Sequence, residues 1–205
     1  MIPPTFHRVW LDEPVPERFD EYWSRLRALH PGWDFRTWQD SAEVREHLQH
    51  RALFDSFTEY PAAYALRSDL ARYELVEKFG GVYVDTDVEP LRAFDALLAD
   101  GRAFIGWEDD KMLCPTVFGA EAGAPPLKDL LRALPEWQAV NAAKEPNHRT
   151  GPVLVTHEWR NRDDVRRLPV STFYPVGWWE KDLLGEVTYP PETLAVHHWF
   201  KGWGK

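Results

Sequence analysis

Between residues 62 and 76 apolar side chains recur at helical spacing, with Ala62, Leu66, Leu70, Tyr73 and Val76 on one face. Pro61 suits the first turn of that helix, because its missing N–H would be unpaired there anyway. Gly80 and Gly81 end it, since a left-handed residue after the last turn costs glycine least. Val82, Tyr83 and Val84 then form an unbroken β-branched and aromatic run, as in a strand buried on both faces. Upstream, Phe6, Val9 and Trp10 mark a first strand within residues 2–11. Glu17 to Leu29 reads as a helix with Phe19, Trp23 and Leu26 inward, and Trp33, Phe35 and Trp38 as a second strand. A helical stretch of mixed charge follows from Ser41 to Phe57.

Beyond residue 88 the pattern predicts a short amphipathic piece over Leu91–Leu98 and strands at Phe104–Gly106 and Met112–Gly119. A helix over Pro126–Leu134, a helix or strand over Val153–Trp159 and a last strand at Leu194–Val196 complete it. Helices and strands alternate with no internal repeat, low-complexity tract or linker, so the expectation is one α/β domain over residues 1–205.

Composition narrows the function. The 24 basic and 33 acidic residues give a net charge of −9, which argues against a generic nucleic-acid binder. Cys114 is the single cysteine, so no intramolecular disulfide is possible. The first residues, MIPPTFHRVW, lack the basic and apolar regions of a signal peptide, and no apolar run approaches the ~20 residues that span a bilayer. The expected location is the cytoplasm. Eleven tryptophans exceed what a core alone needs, and some could serve as flat platforms for bases or sugars.

The chemistry concentrates after the third strand. Asp85 and Asp87 flank Thr86 at a strand's carboxyl end, where open α/β sheets bind ligands. Two carboxylates this close repel unless a cation lies beside them, and hard oxygen ligands suit Mg²⁺ or Mn²⁺. The competing reading is an acidic turn. Asp69 and Arg72 stand at i, i+3 and share a stripe with Ala65 and Val76; they form either a ligand-holding pair or a self-satisfied clamp of helix on sheet. Glu108, Asp109 and Asp110 read as a solvated loop. His7 reads as a hydrogen-bonded structural residue.

The run SDLARYELVEKFGGVYVDTDV, residues 68–88, resembles the sugar-binding DXD signature of glycosyltransferase family 32, which includes yeast-type mannosyltransferases and is related to glucosylating clostridial toxins. The resemblance extends to the opening I-P-x-x-F-H-x-x-W, to Thr150-Gly151-Pro152 and to Phe173-Tyr174-Pro175. The segment LCPTVFG departs from it, lacking the asparagine common among relatives.

It implies a GT-A, Rossmann-like nucleotide-sugar fold with a mixed, mostly parallel sheet flanked by helices. It also implies a metal-dependent, anomer-retaining hexosyl transfer from a UDP-sugar, or GDP-mannose, to a glycan, lipid, protein or small-molecule hydroxyl. By the same resemblance Trp10 stacks on the donor base; residue type alone reads it equally as a core tryptophan of the first strand. Ala65, Asp69 and Arg72 bind the donor sugar, and Asp85 meets the ribose or a metal-bound water. Asp87 and His197 hold the metal together with Asp85, and Trp203 meets the leaving phosphate. Gly202, Gly204 and the terminal lysine read as a mobile lid or as a frayed terminus. Histidine ligation favours Mn²⁺. His198, on the opposite side of a strand of period two, is expected to be structural. A non-catalytic nucleotide-sugar or glycan binder, or a DXD phosphohydrolase, remain the competing readings.

Overall fold

The computed structural model describes residues 1–59 and 62–200. Pro61, Gly202, Trp203 and Gly204 lie outside them. The order is β1 (Thr5–Val9), α1 (Glu17–Leu29), β2 (Asp34–Trp38), α2 (Ser41–His47), α3 (Arg51–Ser56), α4 (Ala62–Phe79) and β3 (Gly81–Val84). Next come β4 (Val88–Pro90), a 3-10 turn at Asp95–Leu98, β5 (Ala103–Trp107), β6 (Leu113–Ala120) and α5 (Pro125–Val140). The chain continues through α6 (Pro146–Arg149), α7 (Pro152–Trp159), β7 (Val165–Leu168), α8 (Val170–Phe173), a 3-10 segment at Trp178–Leu183 and β8 (Ala195–His197).

Six strands form one sheet in the order β2-β1-β3-β6-β5-β7. β1 pairs in parallel with β2 and β3, and β5 with β7, whereas β6 runs antiparallel to both its neighbours. This is the mixed, mostly parallel sheet expected. Period-two alternation divides its side chains between two cores. Tyr83, Ile105 and Phe118 pack with α4, α5 and α7, while Val82, Val84, Phe104 and Val117 pack on the other face with Trp23, Phe94 and Phe173.

α4 is buried nearly all round from Asp69 to Val76, lying between the sheet and its neighbouring helices. Gly80 and Gly81 have φ of +66° and +109°, the left-handed stop expected there. His7 is structural as expected: Trp38 Nε1 donates to its Nδ1 at 3.1 Å and its Nε2 lies 2.9 Å from the Gly80 carbonyl.

Two readings need correction. The stretch from Ser41 to Phe57 is two helices, because Leu48 leaves the helical conformation and the Gln49 and His50 amides donate to the buried Glu74 carboxylate. The residues after Asp87 are more than an end to the motif. β4 forms a separate two-stranded ladder with β8, pairing Val88 with His197.

Candidate active site

The parallel register of β1 and β3 sets Phe6 beside Val82 and His7 beside Tyr83, so Trp10 and Asp85 emerge at the same end of the sheet. Asp85 and Tyr83, two residues apart on a strand, share a face, and the Tyr83 hydroxyl donates to Asp85 Oδ1 at 2.6 Å. That face looks onto α4. Arg72 reaches across, its Nη1 donating to Asp85 Oδ2 at 3.2 Å and to the Pro115 carbonyl at 3.0 Å. Its Nη2 lies 3.1 Å from Asp69 Oδ1, and its guanidinium sits 4.6 Å above the Tyr83 ring. Asp69 and Arg72 are only 8% and 7% exposed, so each of these opposite charges is kept by the other.

Thr150, at the turn before α7, donates its hydroxyl to Asp69 Oδ2 at 2.6 Å, and Tyr73 fixes that turn by donating to the Thr150 carbonyl. Burial pushes the Asp69 pKa up to about 6, with Arg72 and Thr150 opposing. Burial raises Asp85 as well, against the pull of Arg72.

The β4–β8 ladder delivers the other half. His197 Nε2 stands 3.3 Å from Asp87 Oδ2, and the Phe200 amide donates to that same oxygen at 2.8 Å. Burial alone would raise Asp87, yet His197 and the Phe200 amide hold it below its usual value. Burial likewise works against charging His197, while Asp87 outweighs it and lifts its pKa. Asp85, Asp87 and His197 bring ligand atoms within 4.8 Å of one another. Two carboxylates and an imidazole, with His197 Nδ1 buried and unpartnered among the described residues, form a donor set that fits Mn²⁺ or Mg²⁺.

Trp10 lies on Phe19, ring centroids 5.7 Å apart, and Phe19 meets Phe200 at 5.4 Å, so an aromatic row runs from Trp10 toward Asp87. The indole N–H of Trp10 is buried with no partner among the described residues. Ala65 is partly exposed one turn before Asp69 on α4. His198 leaves the centre as expected, its Nε2 3.0 Å from Glu89.

Residues 16–104 match the family described as glycosyltransferase sugar-binding region containing DXD motif. The matched residues include Asp69, Arg72, Asp85 and Asp87. Inositol phosphoceramide mannosyltransferases 1 and 3 of Schizosaccharomyces pombe are 34% and 28% identical to it over 103 and 163 residues, 48% and 77% of this chain. Those matches span 32% and 45% of the relatives' own length. Among solved structures, the PaToxG glycosyltransferase superposes with a TM-score of 0.57 at 14% identity, covering 77% of this chain and 68% of its own. The UDP-bound glycosyltransferase domain of the YGT toxin gives 0.55 at 11%, covering 81% and 79%. These likenesses show the GT-A fold. No described helix is long and apolar enough to cross a membrane.

Three parts of the site escape a reading of the sequence alone. The hydroxyls of Tyr83 and Thr150 belong to its hydrogen-bonded frame; period two links Tyr83 to Asp85, whereas nothing local links Thr150 to Asp69. Glu108, expected in a solvated loop, is only partly exposed, and burial raises its pKa above the usual carboxylate range. Its carboxylate faces Cys114 and lies within the field of His197.

Proposed function

We propose that residues 1–205 form one transferase domain moving a hexosyl unit from a nucleoside diphosphate sugar to an acceptor hydroxyl, with the anomeric configuration retained. The observation that carries this reading is the convergence of Asp85, Asp87 and His197 beside the buried Asp69–Arg72 pair. A UDP-sugar is preferred to GDP-mannose as donor; the UDP in the related toxin domain supports that choice.

Asp87 and His197, with Asp85 beside them, would hold Mn²⁺ or Mg²⁺. Such an ion supplies Lewis-acid relief of charge on the departing diphosphate, worth several kcal/mol. Asp69, ionised at neutral pH, accepts hydrogen bonds from the sugar hydroxyls, and Thr150 and Arg72 fix its two oxygens. Arg72 also fixes Asp85, which leaves Asp85 turned to the ribose or to a metal-bound water. The small side chain of Ala65 leaves room for the sugar one turn away, and Trp10 offers its ring to the base. Holding the anomeric carbon in one place can contribute ~7–11 kcal/mol. Trp203 remains the candidate contact for the leaving phosphate.

A thermal-shift panel of UDP-, GDP- and TDP-sugars, each with Mn²⁺ and with chelator, tests the reading. A donor at a hundredfold its dissociation constant stabilises the fold by about 2.7 kcal/mol, and Asp87→Asn should abolish the metal-dependent part. NMR of the product anomer then checks retention. A metal-independent response would leave a non-catalytic nucleotide-sugar binder, and no response a glycan-binding domain.

A further inference from the structure

Next to His197 a second opening shares Glu108 with the site just described. It measures about 280 Å³ and is bordered by Glu108, Asp109, Asp110, Tyr174, Trp179 and Glu180. That is below the ~300–1,000 Å³ of sites for drug-sized ligands, so it admits one small ring. Tyr174 is the wall it shares with the catalytic centre. Its ring stands edge-on to the His197 ring with centroids 5.9 Å apart, and its hydroxyl lies 2.7 Å from that of Thr116. The Thr116 carbonyl accepts from the Asp85 amide at 2.8 Å, so the wall is tied to the DXD strand itself.

Trp179 is presented in a particular way. A Cβ on Gly177 would fall 2.6 Å from Trp179 Cζ2 and 2.7 Å from Cε2, so the indole rests on bare backbone that no other residue could provide. The side chain is seated on Gly177, yet Trp179 remains 56% exposed. A large aromatic surface held in place while open to water marks a ligand contact more than a core residue. Four carboxylates border the opening and none of its lining residues is basic. Carboxylates accept hydrogen bonds from hydroxyls and repel anions.

We propose that this opening is the acceptor subsite and takes an uncharged sugar ring, stacked on Trp179 with its hydroxyls donating to the surrounding carboxylates, and that it rejects phosphate-bearing acceptors. The proposal rests on the transferase reading above. Tyr174 sets the acceptor against His197, so the attacking hydroxyl enters from the side of the metal-ligand cluster remote from Trp10. Gly177 is a positioning residue that acts through Trp179.

Saturation-transfer NMR on the intact chain, with UDP and Mn²⁺ present, separates the possibilities. The probes are methyl glucopyranoside and its 6-phosphate. The neutral glycoside should bind, and Trp179→Ala should weaken it about tenfold, as for loss of one stacked ring. Trp178→Ala should weaken it far less, since Trp178 does not line the opening and only its edge meets the Trp179 ring, at 5.9 Å between centroids. The 6-phosphate should bind at least about tenfold more weakly, and Asp109→Asn with Asp110→Asn should narrow that gap. Should Trp179→Ala fail to fold, the charge comparison on the native chain still decides. Equal or tighter binding of the phosphate, or full binding by a folded Trp179→Ala, overturns the proposal. Failure of UDP with Mn²⁺ to bind, while the glycoside still stacks, would refute the transferase reading and leave a sugar-binding cleft.

Discussion

Arg72 is the side chain on which the charge balance of the site turns. It serves the buried Asp69 and the partly buried Asp85, at 3.1 and 3.2 Å, so removing it strands both. Arg72→Ala is expected to lower stability by about 3–5 kcal/mol in urea unfolding, the usual result of breaking a buried pair. Arg72→Lys should recover only part, because an ammonium cannot span Asp69, Asp85 and the Pro115 carbonyl together. Tyr83→Phe deletes one donor to Asp85 and should cost about 1.5–3 kcal/mol by the same measurement. These residues were legible unevenly. Asp69, Arg72, Asp85 and Asp87 could be found because their spacings, i, i+3 on a helix and i, i+2 at a strand end, already declare shared faces. Glu108 could not: its neighbours Asp109 and Asp110 look like any acidic loop, and besides nearby Cys114 it meets Tyr174, distant in sequence.

At the scale of elements, the entry into β3 is the tightest joint. A Cβ on Gly81 would lie 2.5 Å from the Thr5 carbonyl at a φ of +109°. Gly81→Ala therefore has to part β1 from β3 or strain the backbone, and should cost about 2–4 kcal/mol by denaturant titration. The added cost should also lower donor affinity, since the displaced strand carries Asp85. α4 and β3 were plain in the sequence because both are apolar at the period of their own secondary structure. β4 was not. Three residues ending in proline read as a stop, and only a partner far along the chain makes them a strand. The break at Leu48 was hidden for a similar reason, since it depends on Glu74 in α4 receiving the freed amides.

For the whole molecule, two buried groups oppose each other on acidification. Trp38 donates to His7 Nδ1, so that nitrogen is bare and the proton sits on Nε2 facing Gly80; a second proton breaks the Trp38 bond. Burial first of all holds the His7 pKa near 4. The unfolded chain thus binds more protons between pH 6.5 and 4, and the His7 contribution, about 3 kcal/mol, is lost as pH falls through that window. Asp69, raised to about 6, acts with the other sign and gains stability as it protonates. Native stability should therefore change little across this range. His7→Gln should remove that opposition and leave the raised carboxylates, Asp69 with Asp85 and Glu108, its urea midpoint rising on acidification below pH 6; a midpoint that falls like an ordinary acid transition would contradict the assignment.

The ladder that joins β4 to β8 has a consequence for the timing of synthesis. The Phe200 amide and Asp87 meet across 113 residues, and His197 comes to the site only with the same segment. A growing chain displays Asp85 and Asp87 long before the imidazole exists to join them. At the ~5–20 residues per second of translation, the interval is on the order of 5–20 s. During that time a nascent chain can pair β1, β2 and β3 but cannot bring Asp85, Asp87 and His197 together, so the cluster arrives as one late event.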